Sequence, residues 1–244
     1  MPTPIEFKAP FCPEKHYHIV CKSNDGLILF RETVDYMEFI ERLRIFTRPF
    51  MDMWSYSLLS NHTHHVTKIR SIDSIAGYVD QLPKRDQTMT MKAFLKDQVN
   101  PALFDAMIER QMNSMLVSFV KYYNNKYQRK GGLFQRPFKR TEIEDDAYLQ
   151  QAVIYVNANA QKHRLVNNYK TYLYSSYAAT LKADNSFVDT KAVIDFFGSL
   201  EHFITIHDAQ VNYYYATNWP SSKIEWPLPS EPLPSDSPVK MAYS

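Results

Sequence analysis

Two histidines one residue apart, His62 and His64 in Ser60-Asn61-His62-Thr63-His64-His65-Val66, are the side chains of this sequence best placed to do chemistry. The segment runs on into Val66-Thr67-Lys68-Ile69, which reads as a β-strand. On a strand, residues two apart project from the same face. The spacing sets two imidazoles side by side, able to share one divalent metal or one phosphate oxygen, as phosphoryl-transfer chemistry requires. His65 falls on the opposite face. Eight histidines in 244 residues make one such pair common by chance, and a motif this short is more often structural than functional. Its position adds weight, because the preceding run 53–59 also reads as a strand and the pair then sits on a hairpin or a bent strand.

A second group of suitable side chains lies on a helix. Asp145-Asp146 stand where acids favour a helix N-terminus, and a helix is predicted over 147–159 with Leu149, Val153 and Val156 in apolar spacing. Tyr155 and Asn159, at i and i+4, share one face of it. A phenol can attack a phosphodiester and be held covalently. The Asn159 amide oxygen can complete the ligand set of a metal held by His62 and His64. Type alone does not single out Tyr155, since the chain has 17 tyrosines.

A net charge of +2 hides a local asymmetry. From 121 to 140 the basic residues are Lys121, Lys126, Arg129, Lys130, Arg136, Lys139 and Arg140, with no acid among them. Tyr122, Tyr123, Tyr127, Phe134 and Phe138 are interleaved, with Gly131-Gly132 between. Cations that neutralise phosphates, alternating with rings that stack on unpaired bases, suit single-stranded nucleic acid. The plainer alternative is a solvated loop anchored by its aromatics, Phe134 and Phe138 foremost.

The elements that must position these groups follow from periodicity and turn signals. Residues 1–14 read as an extended arm. A strand over 17–21 closes at the turn Asn24-Asp25-Gly26. Thr33 is the expected cap of a helix whose Tyr36, Phe39, Ile40, Leu43 and Phe46 recur at helical spacing, ending before Pro49. After the two strands come a helix over 71–81, a loop over 83–91, a long helix over 102–127 and a strand over 138–143. Helices are predicted at 190–197 and 200–215, then a proline-rich tail, extended or disordered.

Composition narrows the class. The length suits one domain, or one with an elaboration. Only 5 glycines, and no glycine-rich phosphate loop, argue against a nucleotide-binding fold. Cys12 and Cys21 are too few and too close for a disulfide framework or zinc ribbon. There is no secretory leader pattern and no apolar run near the roughly 18 residues of a membrane span, so a cytoplasmic location without membrane contact is expected.

Over roughly residues 14–180, five segments in order resemble the IS200-like Y1 (HUH) transposases, in particular the REP-associated tyrosine transposase branch. They are Leu59-Ser60-Asn61-His62-Thr63-His64; Leu133-Phe134-Gln135-Arg136-Pro137-Phe138-Lys139; Glu144-Asp145-Asp146-Ala147-Tyr148-Leu149; Tyr155-Val156-Asn157-Ala158-Asn159-Ala160; and Tyr174-Ser175-Ser176-Tyr177. The resemblance implies an α+β, ferredoxin-like antiparallel sheet with flanking helices, the catalytic domain spanning 1–180 and a helical extension with a proline-rich tail spanning 181–244. It also implies dependence on Mg²⁺ or Mn²⁺, and Tyr155 as nucleophile on single-stranded DNA carrying a hairpin. Some relatives are homodimers that exchange the tyrosine helix; others act as monomers. The sequence departs from the family at Ser60 and Ala160, where proline is usual, and at Thr63, where a bulky apolar residue is usual and looser packing is expected.

Three functions compete on these features. The first is a strand transferase or nickase that forms a 5′-phosphotyrosine link and frees a 3′-OH. The second is a domesticated hairpin-binding protein without chemistry. The third is a metal-dependent phosphodiester hydrolase, which needs the histidines but not Tyr155. A covalent protein–DNA adduct separates them.

Overall fold

The computed structural model describes residues 8–216. Its elements are β1 (His16–Lys22), α1 (Thr33–Thr47), β2 (Met51–Leu58), β3 (His62–Ile69), α2 (Ile72–Gln81), α3 (Met89–Lys96), α4 (Pro101–Lys126), β4 (Lys139–Ile143), α5 (Asp146–Lys162), α6 (Tyr177–Leu181), α7 (Thr190–Phe197) and α8 (Leu200–Ala216). The four strands form one sheet in the order β2-β3-β1-β4, with every neighbouring pair antiparallel. Two split β-α-β units, β1-α1-β2 and β3-α4-β4, interleave to give that order, so the α+β, ferredoxin-like expectation holds.

Strand alternation divides the sheet's chemistry. Tyr17, Ile19 and Cys21 of β1 point to the face covered by α1 and α4 and join Phe39, Leu43, Phe119 and Phe134 in one core. His18 and Val20 point to the other face. Register puts Val20 opposite His64, His18 opposite Val66, and Ser57 opposite His64. That second face is covered by α5 through Val66, Val153 and Val156. A bulge between Met53 and Ser55 places Trp54 and Ser55 both on the α5 side.

Helix α5 is buried around its whole circumference from Gln151 to Ala160, because it lies between the sheet and the helices that follow it. Phe197, Phe203 and Val211 pack with Val153 and Tyr177 in the same core. Asn157 ties these layers together. Its Oδ1 accepts from Ser176 Oγ at 2.7 Å and Ser55 Oγ at 3.2 Å. Its Nδ2 lies 3.1 Å from His207 Nε2, while His207 Nδ1 donates to Phe203 O at 2.7 Å. His207, pushed down to about 3 by burial, is a neutral core histidine with both nitrogens used.

Several expectations need adjustment. The N-cap of α1 is Glu32, which exchanges hydrogen bonds with Asp35, rather than Thr33. The stretch 83–91 is not all loop: α3 starts at Met89, capped by Thr88 Oγ1 accepting from Met91 N at 3.3 Å. Helix α5 runs one turn beyond 159. The short α6 carries no signal that periodicity detects. Residues 1–7 of the arm and the tail after 216 lie outside the described residues. Among the described residues, no helix is long and apolar enough to cross a membrane.

Asp35 joins α1 to α4. Its buried carboxylate accepts from Tyr127 OH at 2.6 Å, Lys126 Nζ at 2.8 Å, Tyr122 OH at 2.9 Å and Arg31 N at 2.9 Å. Burial alone would raise its pKa; these donors outweigh it and hold the group down to about 2. Because the folded pKa is depressed, the stabilisation is present at neutral pH and lost as pH falls toward 2. Asp35→Ala is expected to cost about 3 kcal/mol in urea unfolding at pH 7, with the gap to the parent narrowing toward pH 2. An unchanged midpoint at pH 7 would remove this carboxylate from the fold's essential contacts.

Candidate active site

The histidine pair lies where strand spacing places it. The His62 and His64 rings are 5.0 Å apart, centroid to centroid, and His65 turns the other way, its Nε2 2.8 Å from Thr63 Oγ1 and its ring stacked on Phe39. Thr63 is fully buried and its hydroxyl is engaged with His65.

Helix α5 brings Tyr155 onto the pair. Its ring lies 5.6 Å from that of His64 and 6.1 Å from that of His18, edge-on to both. This is the chain's own helix over its own strand. Burial pushes the Tyr155 phenol up to about 12, with the neighbouring Asn159 amide opposing the rise. Lys162, two turns along α5, donates from Nζ to Tyr155 OH at 3.3 Å, and its ammonium lies 4.6 Å from the centre of the tyrosine ring. Burial pulls the lysine down to about 8.

Three neighbours escaped the sequence reading: His18, Lys162 and His163. His18 Nε2 lies 3.0 Å from His64 Nδ1, and their rings stack at 5.1 Å. His163, at the end of α5, sets its ring 4.9 Å from that of His62. Burial lowers His18 and His62 to about 3 each, and takes His64 well below the ordinary value. The imidazoles are therefore neutral at physiological pH, the form that ligates a metal.

The residues fit a divalent cation. Asn61 Oδ1 lies 2.7 Å from His62 Nδ1, so Nδ1–H donates and Nε2 keeps its lone pair. With His64 Nδ1–H donating to His18 Nε2, at 3.0 Å, His64 Nε2 is in the same state; the opposite tautomer would put the proton on His64 Nε2. Such partners fix the tautomer and orientation of a ligating histidine. Asn159 is fully buried, and its Oδ1 has no hydrogen-bond partner among the described residues. An unpaired buried carbonyl oxygen costs about 1–3 kcal/mol, a cost that a cation on Oδ1 would remove. Among the described residues no three His, Cys, Asp or Glu side chains converge on one metal position. A cation held by His62, His64 and Asn159 would have two imidazoles and one amide oxygen, and would need the rest of its ligands from elsewhere.

The basic segment reaches this end of the sheet. Asn24 N donates to Leu133 O and Gln135 N to Lys22 O, both at 2.8 Å, and Lys22 pairs with His62 across β1 and β3. Its cations divide into two kinds. Arg140 is buried, held by Asp105 at 3.0 Å and Glu109 at 3.0 Å and stacked on Phe11. Lys126 belongs to Asp35 and Glu32, and Arg129 braces the loop through Asn124, Gly131 O and Gly132 O. Lys121, Lys130 and Arg136 are exposed and Lys139 half-buried. Phe134 and Phe138 are core residues, as expected.

No protein-family model matches the chain, and no curated protein matches it. A solved structure of a REP-associated tyrosine transposase bound to a REP hairpin is similar, with a TM-score of 0.47 and 14% sequence identity over 72% of this chain and 85% of that one. A likeness of that degree bears on neither activity nor partner.

Proposed function

We propose that this chain is a metal-dependent strand transferase acting on single-stranded DNA, with Tyr155 as nucleophile. The observation that carries this reading is Tyr155 seated edge-on to His64, 5.6 Å away ring to ring, in one chain and on one face with His62. His62, His64 and Asn159 would hold the cation, Mg²⁺ or Mn²⁺; when bound it supplies Lewis-acid charge against phosphate oxygens. With nitrogen donors in the majority, Mn²⁺ is expected to serve at least as well as Mg²⁺.

The chain's own residues account for the bond changes. As the Tyr155 oxygen joins phosphorus, the P–O3′ bond breaks and its electron pair leaves on O3′. The phenolic proton passes to water and O3′ takes up one, so the products are a 5′-phosphotyrosine and a free 3′-OH. A phenol of high pKa is a poor nucleophile until its anion is stabilised. Lys162, donating to the Tyr155 oxygen, supplies one such interaction. The burial of Tyr155 strengthens it, because water screens the interaction less.

Exposed cations on the loop bonded to β1 beside His62 support a DNA partner; the hairpin comes from the sequence resemblance. Incubation with Mn²⁺ and a labelled single-stranded oligonucleotide carrying a hairpin tests the reading. The expected products are a protein–DNA adduct stable to denaturant, carrying the downstream strand, and an upstream strand that a polymerase can extend. Absence of any adduct across hairpin and unpaired substrates would end it.

The basic segment gives a further expectation. Because Lys130 and Arg136 are the exposed cations on the loop beside β1, Lys130→Glu with Arg136→Glu should weaken binding at least tenfold at about 150 mM salt. The log–log salt slope should fall by about 2. Equal binding by this double variant in a fluorescence-anisotropy titration would make the segment an ordinary solvated loop.

A further inference from the structure

Lys162 stands between the two halves of the site. Its Nζ is 3.3 Å from the Tyr155 oxygen, and its charge is felt by both His62 and His163. Tyr155 and Lys162 are seven residues apart on α5, so two helical turns put them on one face. For Tyr155 to attack, a phosphorus atom must come to within roughly 3–3.5 Å of its oxygen. Any phosphate so placed has its non-bridging oxygens within reach of an ammonium bonded to that same phenol.

The electrostatics around Lys162 favour such an occupant. Among the described residues, the charged groups that act on His62, His64 and His163 are other histidines and lysines. A half-buried ammonium in such surroundings gains more from an arriving anion than a solvated lysine does, since water screens it less.

Building on the reading of Tyr155 as nucleophile, we propose that Lys162 binds the scissile phosphate, pinning one non-bridging oxygen while Tyr155 faces phosphorus. Lys162 is then a substrate-contacting residue, and its ligand is a DNA phosphodiester anion.

The test separates this contact from a general structural role. Lys162→Met keeps the aliphatic stem that lies over the tyrosine ring and removes only the charge; Lys162→Arg restores it. Binding is measured with Tyr155→Phe as background, so that no chemistry intervenes, on oligonucleotides whose scissile position has been mapped with the parent chain. Lys162→Met should weaken binding about tenfold and lower the salt slope by about 1, with Lys162→Arg recovering most of both. A neutral methylphosphonate at the scissile position should cost the Tyr155→Phe chain a similar factor and cost the Lys162→Met chain almost nothing more. Fully additive losses, or unchanged binding by Lys162→Met, would overturn the assignment. If Lys162→Met does not fold, the methylphosphonate is compared on Lys162→Arg and Tyr155→Phe alone. An equal loss at the scissile and at a remote phosphate then overturns it. A parent chain that forms no adduct refutes the nucleophile reading instead, whereas an adduct with an unaffected Lys162→Met variant refutes this contact alone.

Discussion

Tyr155→Phe is expected to abolish the covalent DNA adduct and strand cleavage while leaving DNA binding and the fold in place. The substitution removes one hydroxyl and keeps the ring that fills the space against His18 and His64. The hydrogen bond from Lys162 is lost, and a single bond of that kind is worth about 1 kcal/mol net, so the thermal midpoint should move by only a few degrees. Chemistry has no such reserve, because a ring without oxygen cannot form the phosphotyrosine bond. Denaturing gels with labelled hairpin oligonucleotide, alongside anisotropy at matched salt, read both sides of the expectation. An adduct that survives moves the nucleophile to another tyrosine, with Tyr148 of the same helix the first to examine. Cleavage without any adduct makes water the attacking group and the chain a hydrolase.

The second large effect is expected at the histidine pair. His62→Ala should reduce Mn²⁺-dependent adduct formation at least a hundredfold and weaken Mn²⁺ binding, followed by electron paramagnetic resonance, by a factor of ten or more. His64→Ala should do the same to chemistry and also destabilise the protein. His64 is 6% exposed and shares a hydrogen bond with His18; removing it leaves a buried imidazole nitrogen unpaired, at about 1–3 kcal/mol. His62 is half-buried at the start of its strand and its loss should cost the fold less. Metal-dependent adduct formation that persists at parental rates in His62→Ala would strip the pair of its assigned role.

The geometry of the site was legible in the sequence wherever one element carried it. A two-residue spacing on a strand and a four-residue spacing on a helix each define a face without knowledge of the rest of the chain. His18 was out of reach because its relation to His64 is set by the register of β1 against β3, across 46 intervening positions. Alternation along β1 does show His16, His18 and Val20 on one face, but only pairing identifies that face with the histidines of β3. Lys162 and His163 were missed by ending the helix at Asn159. One more turn puts Lys162 in line with Tyr155. The basic segment misled in another way. Its cations are contiguous, but the acids that claim Lys126 and Arg140 are Asp35 on α1 and Asp105 on α4, so local charge overstates what is free for a partner. The sheet itself was readable because its strands and its first helix each carry their own periodicity.

If the proposed chemistry holds, the clamp on α5 decides who travels during a strand exchange. Asn157 bonds to the sheet through Ser55 and reaches α8 through His207, so the helix that carries Tyr155 is anchored on both sides. On the proposed chemistry, the captured end stays at a fixed address and the nucleic acid does the moving. Whether the original strand reseals or a new one is joined then becomes a race between two 3′-hydroxyls for one phosphotyrosine. The winner is set by effective concentration, through the length and stiffness of the DNA connecting each hydroxyl to the site. The protein contributes a stationary target, and the fold of the DNA selects the product.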